Sequence, residues 1–197
     1  MICSELLTAI RPILAEFDRL SIAYYVGGSV ASSLYGQPRS TLDIDLCADI
    51  TESVVDDMVS HWEHDFYVSE SAMRDAIQRG SCFNLIHLGT SMKVDVFVCA
   101  TDPFNKSVLQ RRQSRTVRSA DEDLTVWFAS PEDLILHKLA WYRKGGEISE
   151  RQWRDITGVL TQQKDCLEIN YINDWADRLK VRDLWNRVLG ESETLRI

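Results

Sequence analysis

The stretch from Gly27 to Leu46, GGSVASSLYGQPRSTLDIDL, compresses a glycine turn, a short helix and a strand bearing two carboxylates into one uninterrupted segment. Ile22 to Val26 before it is a β-rich run that Gly27-Gly28 stops, and Ser29 opens a helical segment from Val30 to Tyr35 that Gly36 and Pro38 end. Leu42 to Ala48 then alternates with the period of a strand. In Leu42-Asp43-Ile44-Asp45-Leu46 that period puts Asp43 and Asp45 on one face and the three aliphatic side chains on the other. Two like charges side by side repel unless solvated or bridged by a cation, and paired carboxylate oxygens are hard donors of the kind Mg²⁺ takes. A half-buried strand with a wet acidic face is the alternative.

Outward from this segment, the same device recurs. Met92 to Val98 sets Lys93 and Asp95 on one strand face and Met92, Val94, Val96 and Val98 on the other. Gly89-Thr90-Ser91 separates this run from a strand at Cys82 to Leu88, a spacing suited to an antiparallel hairpin. Three carboxylates on adjacent strands would hold two divalent ions and clamp the attacking and leaving oxygens of a phosphoryl transfer. Gly27, Gly28 and Ser29, placed between a strand and a helix, can bring backbone N–H groups and a hydroxyl to an anion. An ordinary turn with a helix cap is the competing account of the same three residues.

The order is informative beyond its parts. A phosphate-cradling turn is followed, after thirteen intervening residues, by Asp-x-Asp on the next strand and then by a single Asp on a later apolar strand. In this the chain resembles the nucleotidyltransferase superfamily related to DNA polymerase β. GGSVASSLYGQPRSTLDIDL, MKVDVFV and ASPEDLILHKLAWYR together look most like the AbiEii type, which includes toxins of toxin–antitoxin systems; the likeness runs over residues 22 to 156. It implies that Gly27, Gly28 and Ser29 bind a nucleoside triphosphate and that Asp43 and Asp45 ligate Mg²⁺. It further implies that Asp95 helps to hold a second ion or activates the acceptor hydroxyl. Lys138 matches a motif lysine that contacts phosphates, and Asp155, preceded by Arg154, matches a later basic-Asp motif in which Gln152 replaces an Arg.

The remaining sequence fits an α+β fold: a nucleotidyltransferase-like mixed β-sheet with flanking helices, followed by a small helical lobe. Residues 3 to 20 form an amphipathic helix with Leu6, Leu7, Ile10, Ile13, Leu14 and Phe17 on its apolar stripe, and Glu52 to His64 reads as another helix. Leu124 to Phe128 reads as a strand. From Ser130, a helix cap followed by Pro131 and the acidic Glu132-Asp133, the pattern turns helical nearly to the end. The expected division is therefore residues 1–129 as an α+β catalytic lobe and 130–197 as a helical lobe.

Composition narrows the function. Of 197 residues, 45% are hydrophobic and 26% charged, too apolar for a disordered chain, and the net charge of −8 excludes general attraction to nucleic acid or an anionic membrane. Lys106, Arg111, Arg112, Arg115 and Arg118 form a local basic strip for triphosphate or an RNA backbone, or a solvated face. His61 and His64 read as surface histidines. Five cysteines, widely spaced and without a C-x-x-C pair, read as buried free thiols of a cytoplasmic protein, and no stretch has the length of a membrane span.

These features point to Mg²⁺-dependent transfer of a nucleoside monophosphate from an NTP to an acceptor hydroxyl. The resemblance implies an RNA or tRNA 3′ end as acceptor and an antitoxin as protein partner, while a protein side chain or a small molecule such as an aminoglycoside stays open. The alternative is a non-catalytic nucleotide-binding or partner-binding protein that retains the fold.

Overall fold

The computed structural model describes residues 4–99, 102–118 and 123–194. Its contacts divide the chain into two compact units, Met1–Val30 with Ser40–Ala129 and Ala31–Arg39 with Ser130–Ile197. The division differs from a single cut near residue 130 because the end of one short helix belongs to the second unit.

In the first unit, α1 (Ser4–Arg19) leads into β1 (Tyr24–Val26), and α2 (Gly28–Tyr35) starts at the glycine turn. β2 (Asp43–Ala48), a 3-10 turn at Glu52–Val54, α3 (Val55–Trp62), β3 (Phe66–Tyr67) and α4 (Glu70–Arg79) follow. The hairpin of β4 (Cys82–His87) and β5 (Lys93–Val98), then α5 (Pro103–Arg111), β6 (Gln113–Val117) and β7 (Leu124–Phe128), complete it. The seven strands make one mixed sheet in the order β3-β4-β5-β2-β1-β7-β6. β2 runs parallel to β5 and antiparallel to β1, and β4 and β5 pair antiparallel as their short connection requires.

Alternation governs the central strands. Ile44, Leu46, Ala48, Phe83, Leu85, Val94 and Val96 are buried, as are Ile10, Ile13, Leu14 and Phe17 of α1 and Met58 and Trp62 of α3. Phe17 packs edge-on against Trp62, its ring centroid 5.9 Å away. Each fully buried side chain of this size contributes about 1.5–3 kcal/mol, so a one-residue slip of β2 would be prohibitive. That pressure leaves Asp43, Asp45, Lys93, Asp95, Cys82 and Asn84 together on the opposite face. Leu42, expected on the apolar face, precedes the strand and is exposed.

Among the described residues, four elements escape the sequence reading: β3, α4, α5 and β6. β3 is too short to show alternation, and α4 has few buried residues, Met73 and Ala76, although Ser69 caps it and Gly80 ends it in the left-handed region at φ 58°. The stretch read as a basic strip is α5 joined to the edge strand β6.

The expectation of buried free thiols is overturned. Cys47 on β2 and Cys99, just past β5, form a disulfide with Cα atoms 5.7 Å apart, and Cys82 and Cys166 are unbridged but exposed. The parallel register pairs Ala48 with Val98, and the Cys99 N–H donates to the Ala48 carbonyl at 2.9 Å, which brings the two thiols together from positions distant in sequence. Cys3 lies outside the described residues.

The second unit is helical: α6 (Pro131–Lys144), α7 (Glu150–Gln163), α8 (Ile169–Arg178) and α9 (Arg182–Thr194). Ser130 caps α6 as its sequence indicates, its Oγ accepting from the Asp133 N–H at 3.2 Å. The segment Ala31–Arg39 joins this unit through close backbone approach. A β carbon on Gly36 would lie 2.9 Å from the Val159 nitrogen and 3.0 Å from the Gly158 carbonyl carbon, so only a glycine fits there. Gln163 Nε2 also donates to the Tyr35 carbonyl at 2.9 Å. Among the described residues, no helix is long and apolar enough to cross a membrane.

Candidate active site

Strand register builds the acidic face. Asp45 of β2 pairs directly with Asp95 of β5, and Asp95 pairs on its other side with Asn84 of β4. One row along, Asp43 pairs with Lys93, which pairs with Ile86. Neighbouring strands lie about 4.8 Å apart, so the carboxylates of Asp45 and Asp95 are adjacent by construction. The structure thus brings Asp43, Asp45 and Asp95 to one face.

Asp95 and Asp43 take partners from within the chain. Lys93 Nζ pairs with Asp95 Oδ2 at 2.8 Å, Asn84 Nδ2 donates to Asp95 Oδ1, and the Thr41 hydroxyl donates to Asp43 Oδ1 at 2.5 Å. Among the described residues, no three His, Cys, Asp or Glu side chains converge as a ready-made metal cage. The donor chemistry nonetheless suits a hard divalent cation: three carboxylates on one face, where a cation relieves their mutual repulsion.

The glycine turn is fastened to this face. The Gly27 N–H donates to the Asp45 carbonyl at 2.9 Å. Gly28 has φ 52°, a conformation natural to glycine, and the Asp45 side chain fills the space that a Gly28 β carbon would need. Because α2 begins at Gly28, the amides of Gly28 and Ser29 belong to the first turn of a helix, whose partial positive charge favours anions.

Asn84 and Lys93 are the residues at this face to which no role was attached from sequence. The alternation of β4 puts Asn84 opposite the buried Phe83 and Leu85, and a hairpin centred on Gly89-Thr90 would have set it against Asp95. Cys82 shares the face, and burial together with the nearby Asp95 and Asp45 pushes its thiol up to about 11.

In the second unit, Lys138 and Asp155 meet. Lys138 Nζ lies 2.8 Å from Asp155 Oδ2, and Arg39 Nε and Nη2 reach the same carboxylate at 3.1 and 3.2 Å. Lys138 is buried, its side chain only 10% exposed. Burial opposes ionisation of Asp155, but the hydrogen bonds from Arg39 and Lys138 outweigh it and hold the carboxyl below its ordinary value. Arg39 is the third member of this group.

Arg112 stacks on the Trp127 ring, 4.8 Å from its centroid, and donates to the Leu109 carbonyl at 2.5 Å, whereas Arg115 lies exposed on the edge strand. His61 sits 3.8 Å from Glu16 and His64 follows the end of α3, so the two do not act as a helix-spaced ligand pair.

Neither a protein-family model nor a curated protein sequence matches the chain. Solved structures do. An antigenic nucleotidyltransferase-like protein from Paracoccidioides brasiliensis superposes with TM-score 0.54 at 20% identity, covering 95% of this chain and 94% of that one. The antibiotic-resistance factor ANT(2'')-Ia, solved in complex with adenylyl-2''-tobramycin, superposes with TM-score 0.54 at 16% identity over 89% of this chain and 97% of its own. Its solution structure gives TM-score 0.52 at 14% identity over 98% and 97%. The mixed sheet with flanking helices is thus a nucleotidyltransferase fold.

Proposed function

We propose that this chain transfers a nucleoside monophosphate from an NTP to an acceptor hydroxyl and releases pyrophosphate. The observation that carries the reading is the register of Asp45 against Asp95, with Asp43 in the next row, beside a glycine turn fastened to the same strand. Gly27, Gly28 and Ser29 bind the triphosphate through backbone amides and a hydroxyl at the start of α2. Asp43 and Asp45 hold Mg²⁺, and Asp95 serves as the third carboxylate, toward a second ion or the acceptor proton. When bound, the metal supplies electrophilic stabilisation of the phosphoryl oxygens and of the leaving pyrophosphate.

Lys138 is the phosphate-contacting lysine in this reading, and Asp155 with Arg39 positions it; the functional division into a catalytic lobe and a helical lobe belongs to the same proposal. The AbiEii-like stretches favour an RNA or tRNA 3′ end as acceptor, a cytoplasmic setting and a neutralising antitoxin. A second reading, a small-molecule hydroxyl, is favoured by the fold shared with ANT(2'')-Ia.

Incubation with each labelled NTP and Mg²⁺, in parallel with total tRNA and with an aminoglycoside panel, tests both readings. Label in RNA supports the first, and a mass gain of one nucleotide on the small molecule supports the second. Nucleotide binding with no transfer to any acceptor would leave the non-catalytic alternative.

A further inference from the structure

We propose that Lys93 is a built-in counter-ion of the acidic face: without nucleotide its ammonium fills the cation position beside Asp95, so the protein takes one divalent ion, at Asp43 and Asp45, and a second only when Lys93 withdraws. This rests on the nucleotidyl-transfer reading of the three carboxylates. It adds that the chain itself controls how many ions enter.

Lys93 is placed for this by strand pairing. It stands two residues before Asp95 on the same face of β5, and its direct cross-strand neighbour on β2 is Asp43. Its Nζ is 2.8 Å from Asp95 Oδ2, while Asn84 Nδ2 occupies Oδ1, so both oxygens of Asp95 are engaged. A second cation arriving at Asp95 therefore competes with a covalently tethered one. The tether makes the internal cation hard to displace by mass action alone, since its local concentration is fixed by the chain.

Charge and burial agree. Three carboxylates and one ammonium leave two negative charges on the face, which a single divalent ion neutralises; a second ion would bring excess positive charge unless an anion came with it. A nucleoside triphosphate is such an anion. The Lys93 side chain is 48% exposed against 13% for Asp95, so the lysine can swing away without opening the core, whereas the carboxylate cannot. Lysine suits such a role, being a compact charge on a flexible stem that holds no fixed fork geometry.

Mn²⁺ titration followed by the electron paramagnetic resonance of the free ion reads number and affinity without any turnover. The wild type should bind one Mn²⁺ per chain, and a second, beyond what the analogue takes up in a protein-free control, after addition of a non-hydrolysable NTP analogue. Lys93→Met, which keeps the stem and removes the charge, should bind two without nucleotide, the second at least about tenfold more tightly than in the wild type; Lys93→Arg, which keeps the charge, should still bind one without nucleotide. Lys93→Gln provides a second neutral variant, and melting curves of each verify the fold.

Equal stoichiometry and affinity in the wild type and both neutral variants would overturn the counter-ion role while leaving metal-dependent transfer standing. Absence of Mn²⁺ binding in all of them, with or without the analogue, would overturn the metal reading itself. Unfolding of both neutral variants would show Lys93 to be structural and would equally overturn the proposal.

Discussion

A β carbon placed on Gly28 would stand 2.5 Å from Cγ of Asp45 and 2.8 Å from its Cβ. The glycine turn and the acidic strand thus interlock: the absence of a side chain at one position is what allows the carboxylate at the other. The backbone of Asp45 is tied to the same turn, its carbonyl accepting from the Gly27 N–H.

Gly28→Ala should therefore damage the site twice over, by displacing the Asp45 carboxylate and by forcing a β carbon into a left-handed backbone conformation. The conformational part alone costs about 1–2 kcal/mol. Differential scanning fluorimetry should show a lowered melting temperature and no further rise on adding Mg²⁺ with any NTP. A variant that melts like the wild type and keeps its nucleotide-dependent shift would separate the turn from the site.

If the proposed transfer is correct, Asp43→Asn, Asp45→Asn and Asp95→Asn should each lower it by about a hundredfold or more, since each would remove charge from where that proposal places the reacting phosphates. Stability should respond differently. Removing Asp43 or Asp45 relieves like-charge repulsion, and the Lys93 partner of Asp95 is half exposed, so the metal-free melting temperature should hold or rise slightly. Unfolding of all three would mark the carboxylates as structural.

Asp155→Ala should cost about 3–5 kcal/mol, because it leaves the buried Lys138 ammonium without its partner. The acid limb carries the same signature. The folded carboxyl titrates below its ordinary 3.8, so the unfolded chain binds more protons between the two values. Its stabilisation is complete above 3.8 and lost as the pH falls through the lower folded value. Urea melts from neutral pH down to acid should show Asp155→Asn destabilised at neutrality and less sensitive to acid than the wild type.

Alkylation without reductant should spare Cys47 and Cys99 and label Cys166 and Cys82, with Cys82 slow near neutral pH because its thiol is pushed up to about 11 by burial and by Asp95 and Asp45. Divalent cations, by compensating those carboxylates, should accelerate it. Peptide mapping by mass spectrometry reads both effects, and rapid labelling of Cys47 would contradict the disulfide.

Much of the candidate site is legible in the sequence. Period-two alternation in Leu42 to Ala48 and Met92 to Val98 is enough to put Asp43 with Asp45, and Lys93 with Asp95, on common faces, since burying the aliphatic face admits no other register. The helix cap at Ser130 is a local hydrogen-bond pattern and equally legible. Where the apolar signal is thin, as in β3 and α4, periodicity had nothing to work on, and the element is held by its neighbours in the sheet and by α3.

What chain sequence by itself determined, then, is the local material: which residues form strands, which carboxylates share a face, where glycine ends a strand and starts a helix. Only the tertiary structure decided which of these faces meet. Asp45 opposes Asp95 because β2 and β5 pair in parallel; Cys47 meets Cys99 by the same register; Lys138 is buried on Asp155; and Ala31–Arg39 joins the helical unit where Gly36 lets its backbone approach Gly158. Each of these couples residues remote in sequence, and their partners are set by sheet order and by which backbones can approach closely, quantities that no periodicity within a single segment encodes.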